Sequence, residues 1–135
     1  MPECIFCKIV RGDLPSIKVY ENESTLAFLD INPVNIGHTL VIPKQHSPDV
    51  FEIPESEWTA VMNTVKVISH ALEKSLHPAG VNLAMNNRSA AGQVVFHAHV
   101  HIIPRYPNDG HELWHGSAYP EGQGLEIGER IRAAL

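Results

Sequence analysis

The sequence predicts an α+β fold in which a five-stranded, mainly antiparallel sheet carries one long helix on one face. Five short segments have the composition or the alternation of β-strands, and between the third and the fourth the apolar residues recur three and four positions apart. No internal repeat interrupts this order, and Pro and Gly fall at the element boundaries. Because the one helix covers a single face of such a sheet, the opposite face is left to hold a site.

The predicted strands differ in polarity, and this predicts their places in the sheet. Residues 22–24 are Asn, Glu and Ser, a polar break suited to a hairpin, so we expect the first two strands to pair antiparallel. The third strand, GHTLVIP, is apolar on both faces and is expected near the centre. The predicted strands span residues 17–21, 25–30, 37–43, 81–85 and 96–104.

The long helix is predicted over residues 54–76. Pro54 suits its first turn, whereas Pro78 and Gly80 end it. Its apolar stripe comprises Trp58, Val61, Met62, Val65, Ile68, Leu72 and Leu76. A short helix is predicted at the C-terminus, over residues 125–135.

Length and composition restrict the class of protein. A chain of 135 residues suits one domain, 1–135, and with 44% hydrophobic and 19% charged residues it is expected to fold. No apolar run reaches the roughly 18 residues that span a bilayer, and no export signal is recognisable, so we expect a cytoplasmic protein that does not engage a membrane. The net charge of −5 argues against a nucleic-acid polymer as partner. Apolar sheet edges favour a homodimer.

Three histidines, His97, His99 and His101, alternate with apolar residues near the end of the chain. On a strand, period two places them on one face, about 6.6 to 7 Å apart. A neutral imidazole is a nucleophile toward phosphorus, and its neighbours can donate hydrogen bonds to phosphoryl oxygens and protonate a leaving group. Two alternatives stay open: the three side chains hold a catalytic zinc ion, or some are ordinary buried residues.

The N-terminal segment contains Cys4 and Cys7 in a CxxC pair, which is half of a common zinc site. A redox role would require a thioredoxin-like context that the sequence lacks, and a cytosolic location disfavours a disulfide. Two reduced cysteines without a metal are the remaining alternative.

The segment HAHVHII at 97–103 resembles the signature of the histidine-triad (HIT) family. The segments AFLDINP at 27–33, GHTLVIPKQH at 37–46 and GQVVFHAHVHIIPR at 92–105 lie in the family's order. The resemblance covers about residues 4–106, leaves 107–135 as a C-terminal extension, and favours the Hint-like, zinc-binding branch. It implies a HIT-like sheet and a nucleotide hydrolase or transferase. The implied substrates are purine nucleoside phosphoramidates or dinucleoside polyphosphates, attacked at the α-phosphorus through a nucleotidyl-histidine intermediate.

The resemblance also implies a role for particular side chains. His99 corresponds to the nucleophile, His101 to the residue that supports the phosphoryl oxygens, and His38 to the histidine that approaches from the neighbouring strand. Gln93 corresponds to a residue that contacts the phosphate or the leaving group. The implied nucleotide-binding residues are Asp30 for the ribose, Asn86 on the phosphate side, and Phe6, Ile9, Phe28 and Ile31 around the base. Taken singly, the apolar residues could be core positions, and Asp30 could shape a turn.

Some relatives of this kind bind zinc through two cysteines and two histidines, which here would be Cys4, Cys7, His46 and His97. Four protein ligands leave no open position, so this zinc would be structural, and His97 would be unavailable for catalysis.

Val94 departs from the family pattern, because many Hint-like members carry Ser at this position, where its hydroxyl helps the leaving group. The departure argues against efficient phosphoramidate cleavage and leaves dinucleoside polyphosphates open. It also keeps an alternative function in view, a nucleotide-binding interaction protein with weak or vestigial catalysis.

Overall fold

The computed structural model describes residues 4–135; Met1, Pro2 and Glu3, which the predicted domain includes, lie outside the described residues. Five strands form one sheet in the order β1-β2-β3-β5-β4, and all four neighbouring pairs are antiparallel. The strands are β1 (Lys18–Glu21), β2 (Thr25–Leu29), β3 (Thr39–Pro43), β4 (Gly80–Ala84) and β5 (Val100–Arg105). The predicted α+β fold is confirmed, with β3 buried throughout at the centre of the sheet.

The long helix, α2 (Glu55–Leu76), covers one face of the sheet. Pro54 is its extended N-cap residue, and the helix ends at His77 in a left-handed conformation. A common core joins the helix to three strands and contains Ala27, Val41, Val61, Val65, Ile68, Leu72, Val100 and Ile102. The helix therefore lies where the apolar stripe predicts, within a residue of the predicted bounds.

A short helix that the sequence analysis does not predict, α1 (Ile5–Arg11), covers the opposite face. It begins where the Cys4 Sγ accepts a hydrogen bond from the Cys7 N–H, and it ends at Gly12, whose φ of +84° suits glycine. Its buried residues Phe6 and Ile9 pack against a second core cluster made by Leu26, Phe28, Leu40 and Ile42. This face also carries His101, because the His101 and Leu40 positions pair across β3 and β5.

The last strand, β5, begins at Val100, whereas the predicted range 96–104 begins four residues earlier. Continued pairing with β3 would place Pro43 opposite Ala98, but Pro43 has no N–H to donate and β3 ends there. The Ala98 N–H instead donates to the Ser47 carbonyl at 2.7 Å. His97 and His99 therefore lie in the segment that leads into β5, outside the sheet ladder.

The C-terminal extension ends in α3 (Gln123–Ala133), close to the predicted helix at 125–135. It has no buried residue, and Trp114 in the segment before it is 98% exposed. Among residues 4–135, no helix combines the length and the apolar character that crossing a membrane requires.

Candidate active site

An open cleft of about 570 Å³ lies on the face that carries α1 and His101. Side chains from α1 and β2 form one part of its wall, and the loop that precedes β5 forms another. The lining residues that the sequence analysis names are Phe6, Ile9, Phe28, Asp30, Ile31, Asn86, Val94, His99 and His101. Asn32, within the AFLDINP segment, also lines the cleft, as do Leu14, Pro15 and Ser16, which no motif in the sequence marks.

The hydrogen bonds of His38 determine which nitrogen of His101 carries a proton. The Val34 N–H can only donate, and it lies 3.1 Å from the His38 Nδ1, so that nitrogen is an acceptor. A neutral His38 therefore carries its proton on Nε2, which lies 2.9 Å from the His101 Nδ1 and donates to it. The neutral His101 ring then carries its own proton on Nε2.

His99 has the opposite arrangement. Its Nδ1 lies 2.7 Å from the His97 carbonyl oxygen, which can only accept, so Nδ1 carries the proton. The Nε2 of the neutral ring then has a free lone pair. The edge-on Phe6 ring, 5.1 Å away, and the His101 ring, 5.0 Å away, hold the imidazole in place beside the cleft. The site thus combines an unprotonated nitrogen on His99 with an N–H donor on His101.

Burial keeps these histidines neutral. Desolvation is the main cause that lowers the pKa values of His38 and His99, and in both cases the carboxylate of Asp30 opposes it. The pKa of His101 is lowered to about 4 by burial, and then by His99 and His38. At neutral pH the rings are therefore the uncharged species that the hydrogen-bond assignment requires.

Asp30 has two roles in this geometry. Its Oδ1 accepts the Asn32 N–H at 2.8 Å, which shapes the turn after β2, as the plainer interpretation of the sequence expects. Its Oδ2 lies 3.6 Å from the His38 Nε2, at the wall of the cleft. One carboxylate oxygen therefore fixes the loop, and the other is available to a ligand.

Gln93 lies behind the loop and does not line the cleft. The side chain is 4% exposed, and its amide binds main-chain groups. Its Oε1 accepts the Arg88 N–H at 2.6 Å, and its Nε2 donates to the carbonyls of Pro48 at 2.6 Å and Val95 at 3.1 Å. Arg88 has a φ of +73° and a ψ of 162°, a conformation that favours glycine. The predicted contact of Gln93 with a phosphate stays a prediction.

The expected apolar walls differ in depth. Phe6, Ile9 and Phe28 are buried at the inner wall, where the Phe6 and Phe28 rings meet edge to face at 5.5 Å. Ile31 is 89% exposed and Val94 is 84% exposed, although both line the cleft. The first three residues form a fixed surface, and the last two offer apolar area that only a ligand would cover.

The side chains of Cys4, Cys7, His46 and His97 converge next to the cleft, with one ligand atom of each within 4.8 Å of every other. The Cys7 Sγ lies 3.3 Å from the His46 Nδ1 and 3.6 Å from the His97 Nδ1, and the Cys4 Sγ lies 3.5 Å from the latter. Ordinary zinc bond lengths place S and N ligands of a tetrahedral ion about 3.6 Å apart. The His97 Nε2 donates to the Pro43 carbonyl at 2.8 Å, which leaves Nδ1 free. The four residues therefore fit a zinc ion.

The alternative of a catalytic zinc on His97, His99 and His101 does not fit this geometry, because the free nitrogen of His97 faces the cysteines. Within residues 4–135 a second group, Asp30, His38 and His101, also has converging ligand atoms. However, the His38 Nδ1 accepts the Val34 N–H, so the neutral ring has no second lone pair for a metal.

Comparison with known proteins identifies the family of the chain. The HIT domain family model matches residues 11–108. The chain is 48% identical over 107 residues to the adenylylsulfatase HINT3 of Arabidopsis thaliana, covering 79% of this chain and 54% of that protein, so it spans only about half of that relative. It is 40% identical over 136 residues to the adenosine 5'-monophosphoramidase hnt1 of Schizosaccharomyces pombe, covering 96% of this chain and 98% of the relative.

Solved structures show the same fold. A member of the HIT family from Bacillus subtilis superposes with a TM-score of 0.91 at 44% identity, covering 98% of this chain and 97% of that one. A zinc-bound histidine triad family protein from Mycobacterium smegmatis gives a TM-score of 0.79 at 36% identity, covering 99% of each chain. Because the family model matches well over half of the chain and the fold agrees throughout, this protein belongs to the histidine-triad, or HIT, family.

Proposed function

We propose that the protein hydrolyses or transfers a purine nucleotide by attack of the His99 Nε2 on the α-phosphorus. The observation that carries this proposal is the set of hydrogen bonds that assigns opposite tautomers to two neighbouring rings. The backbone carbonyl of His97 leaves a lone pair on His99, and His38 leaves an N–H on His101. A nucleophile beside a hydrogen-bond donor is the combination that phosphoryl transfer requires.

Each part of the cleft then has a task. The base lies against Phe6, Ile9, Phe28 and Ile31, and a ribose hydroxyl donates to the free oxygen of Asp30. Asn86 borders the phosphate side. The His101 N–H donates to a phosphoryl oxygen while the bond between phosphorus and the His99 Nε2 forms and the bond to the leaving group breaks. Water or another acceptor then displaces His99 and releases the nucleotide.

The named relatives support a substrate with a nucleoside monophosphate unit and a variable leaving group. One is an adenylylsulfatase and the other an adenosine 5'-monophosphoramidase. Because Val94 offers no hydroxyl at the rim of the cleft, we place dinucleoside polyphosphates ahead of phosphoramidates. Val94 also favours a second candidate function, a nucleotide-binding protein with weak catalysis.

We further propose that Cys4, Cys7, His46 and His97 hold a structural zinc ion. When bound, the ion would fasten α1, and with it Phe6 and Ile9, to the sheet without an open coordination position for substrate.

We also propose that Gln93 supports catalysis by holding the loop beside the phosphate, that residues 1–135 act as one cytoplasmic domain, and that the protein is a homodimer. The outer edge of β4 and the exposed apolar side chains of the extension support this last proposal.

A trapped intermediate tests the proposed function. The protein is mixed with diadenosine tetraphosphate or adenosine phosphoramidate, quenched in alkaline denaturant because acid cleaves a P–N bond, and digested at alkaline pH, and the peptide with His99 is examined by mass spectrometry. We expect a nucleotidyl adduct on that peptide in the parent and in His70→Ala, a change on the exposed side of α2, but not in His99→Ala. An adduct on another residue, or full turnover by His99→Ala, would refute the proposal; nucleotide binding without an adduct or turnover would favour the second candidate.

A further inference from the structure

The carboxylate of Asp109, at the start of the C-terminal extension, accepts an unusual number of hydrogen bonds. Arg105 donates from Nε at 2.8 Å and from Nη2 at 3.0 Å, and the main-chain N–H groups of Tyr106 and His111 donate at 3.1 Å. The side-chain amide of Asn35 donates at 3.0 Å. The side chain of Asp109 is only 8% exposed and that of Arg105 is 21% exposed, so these bonds are partly shielded from water.

Two of these partners connect the carboxylate to the loop before β3. The Asn35 Nδ2 donates both to Asp109 and to the Pro104 carbonyl, at 2.8 Å, which ties that loop to β5. The ring of His111 is 3.0 Å from the carbonyl of Val34 and donates to it from Nε2. We call Arg105, Asp109, His111 and Asn35 the Asp109 clamp. The clamp therefore holds the Val34–Asn35 stretch from two sides.

The Val34 N–H is the group that fixes the tautomer of His38. It donates to the His38 Nδ1, and the opposite nitrogen of that ring donates to His101. If the Val34 N–H turned away, only the 3.6 Å approach of the Asp30 Oδ2 to the His38 Nε2 would favour that tautomer, and His101 would carry its Nε2 proton for a smaller part of the time. The contacts that lead from the extension to the cleft therefore pass through the main chain of Val34, whose C=O binds His111 and whose N–H binds His38.

We propose that the Asp109 clamp is a positioning device that keeps the proton of His101 on the nitrogen that faces the phosphoryl group. This inference rests on the proposed function for its catalytic consequence, but not for its structural one. The paired contact with the Arg105 guanidinium holds the pKa of Asp109 well below its usual range, so the carboxylate stays charged. Arg105 is consequently committed to the clamp and does not serve as a free cation for a polyphosphate.

His111 offers the mildest way to break the clamp, because its ring is exposed and no core packing is lost with it. His111→Ala removes the bond to Val34, and His111→Gln keeps a side-chain N–H donor that can replace it. The matched control is His115→Ala, since His115 lies in the same segment and has only a 3.6 Å approach to the exposed Glu112. Asp109→Asn removes the centre of the clamp and is the stronger variant.

Two measurements are made on each variant: kcat and KM with one nucleotide substrate, and the tautomers of His38 and His101 from nitrogen NMR of the imidazole rings. We expect His111→Ala to lower kcat about three- to tenfold and Asp109→Asn about 10- to 100-fold, with KM nearly unchanged, because the His101 N–H is needed in the transition state rather than for substrate binding. The His101 signals should change from one tautomer to a mixture. His111→Gln should restore both readouts in part, and His115→Ala should alter neither.

The tautomer measurement needs no turnover, so it separates this inference from the proposed function. A single, unchanged His101 tautomer in folded His111→Ala and Asp109→Asn would overturn the inference, even if activity fell. A mixed tautomer with unchanged kcat would overturn it as well. If Asp109→Asn does not fold, the result with His111→Ala decides.

Discussion

His97 and His99 lie two residues apart in the segment that precedes β5, yet the two rings donate hydrogen bonds from different nitrogens and leave different nitrogens free. His99 donates from Nδ1 to a main-chain carbonyl and has a free Nε2 at the cleft. His97 donates from Nε2 to the Pro43 carbonyl and has a free Nδ1 beside Cys4 and Cys7. Both rings are buried and both have lowered pKa values, so burial alone does not distinguish them. The backbone acceptor that each ring meets therefore supports the two proposed roles, nucleotide chemistry for His99 and metal binding for His97.

The largest expected effect separates the two rings by function. His99→Ala should lower kcat/KM by at least about a thousandfold, because a nucleophile that forms the covalent intermediate cannot be replaced by its neighbours. The variant should keep its zinc, measured by atomic absorption. His97→Ala should lose zinc instead. Equal losses of activity in His99→Ala and His97→Ala, without a difference in zinc content, would contradict the separate roles of the two rings.

Removal of the metal tests the zinc site proposed for His97. If zinc binds only the folded protein, saturation at 100 times Kd stabilises it by about 2.7 kcal/mol. For a domain of this size that is about 8 °C in Tm. A chelator should therefore lower the Tm of the parent and of His99→Ala, but not that of Cys7→Ser, whose Tm should already be low. Differential scanning calorimetry with and without chelator measures this, and an equal chelator response in Cys7→Ser would argue against the four-ligand site.

Gln93 lies between the two regions, since its amide joins the stretch after His46 to the loop beside the cleft. Gln93→Ala leaves buried main-chain groups without partners and should lower the free energy of unfolding by about 1 to 3 kcal/mol. Urea unfolding measures this, with the exposed Gln45→Ala as control. Loss of kcat without loss of stability would show instead that Gln93 acts directly on the substrate.

The smallest effect concerns Asp30, whose carboxylate raises the pKa of His101 against the dominant effect of burial. Asp30→Asn removes that charge, so the pKa of His101 should fall further below about 4. An NMR titration of the His101 ring measures the shift, with the exposed Asp13→Asn as control. A rise in Asp30→Asn would contradict the assigned sign.

The lowered pKa of His101 in the parent protein has a consequence for stability in acid. Between pH 6.5 and about 4 the unfolded chain binds a proton on His101 that the folded chain does not. The contribution of this group to stability is therefore complete above pH 6.5 and is lost as the pH falls through this window. Urea unfolding at several pH values should show that loss.

Much of the fold could be predicted because periodicity reports burial. The stripe of α2 and the apolar strand β3 have one environment along their length, so their patterns identify them to within a residue or two. Helix α1 was missed because seven residues are too few to show a helical period. The sequence shows only the signals of its end, Lys8 and Arg11 in the last turn and Gly12 after it, whereas the cap at Cys4 is visible only after the backbone is known.

The candidate site could be predicted in part. Period two places His97, His99 and His101 on one side of the chain, but it does not report which nitrogen of each ring is free. That choice depends on the carbonyls of Pro43 and His97 and on the Val34 N–H, whose positions arise only from the tertiary fold. For the same reason Ile31, grouped by sequence with three buried residues, lies in solvent at the rim.

Glycine usually weakens a helix or strand, but the backbone conformation of Arg88 is one that favours glycine. A side chain in its left-handed, extended conformation costs about 1 to 3 kcal/mol, whereas the contacts of the exposed Arg88 guanidinium with the Phe51 ring and with the buried Asp49 carboxylate are worth about 1 kcal/mol together. Elsewhere in an element, a switch to glycine weakens the fold through chain entropy. At position 88 glycine would relax the main chain, so a substitution that raises the Tm of the protein can be made beside its cleft.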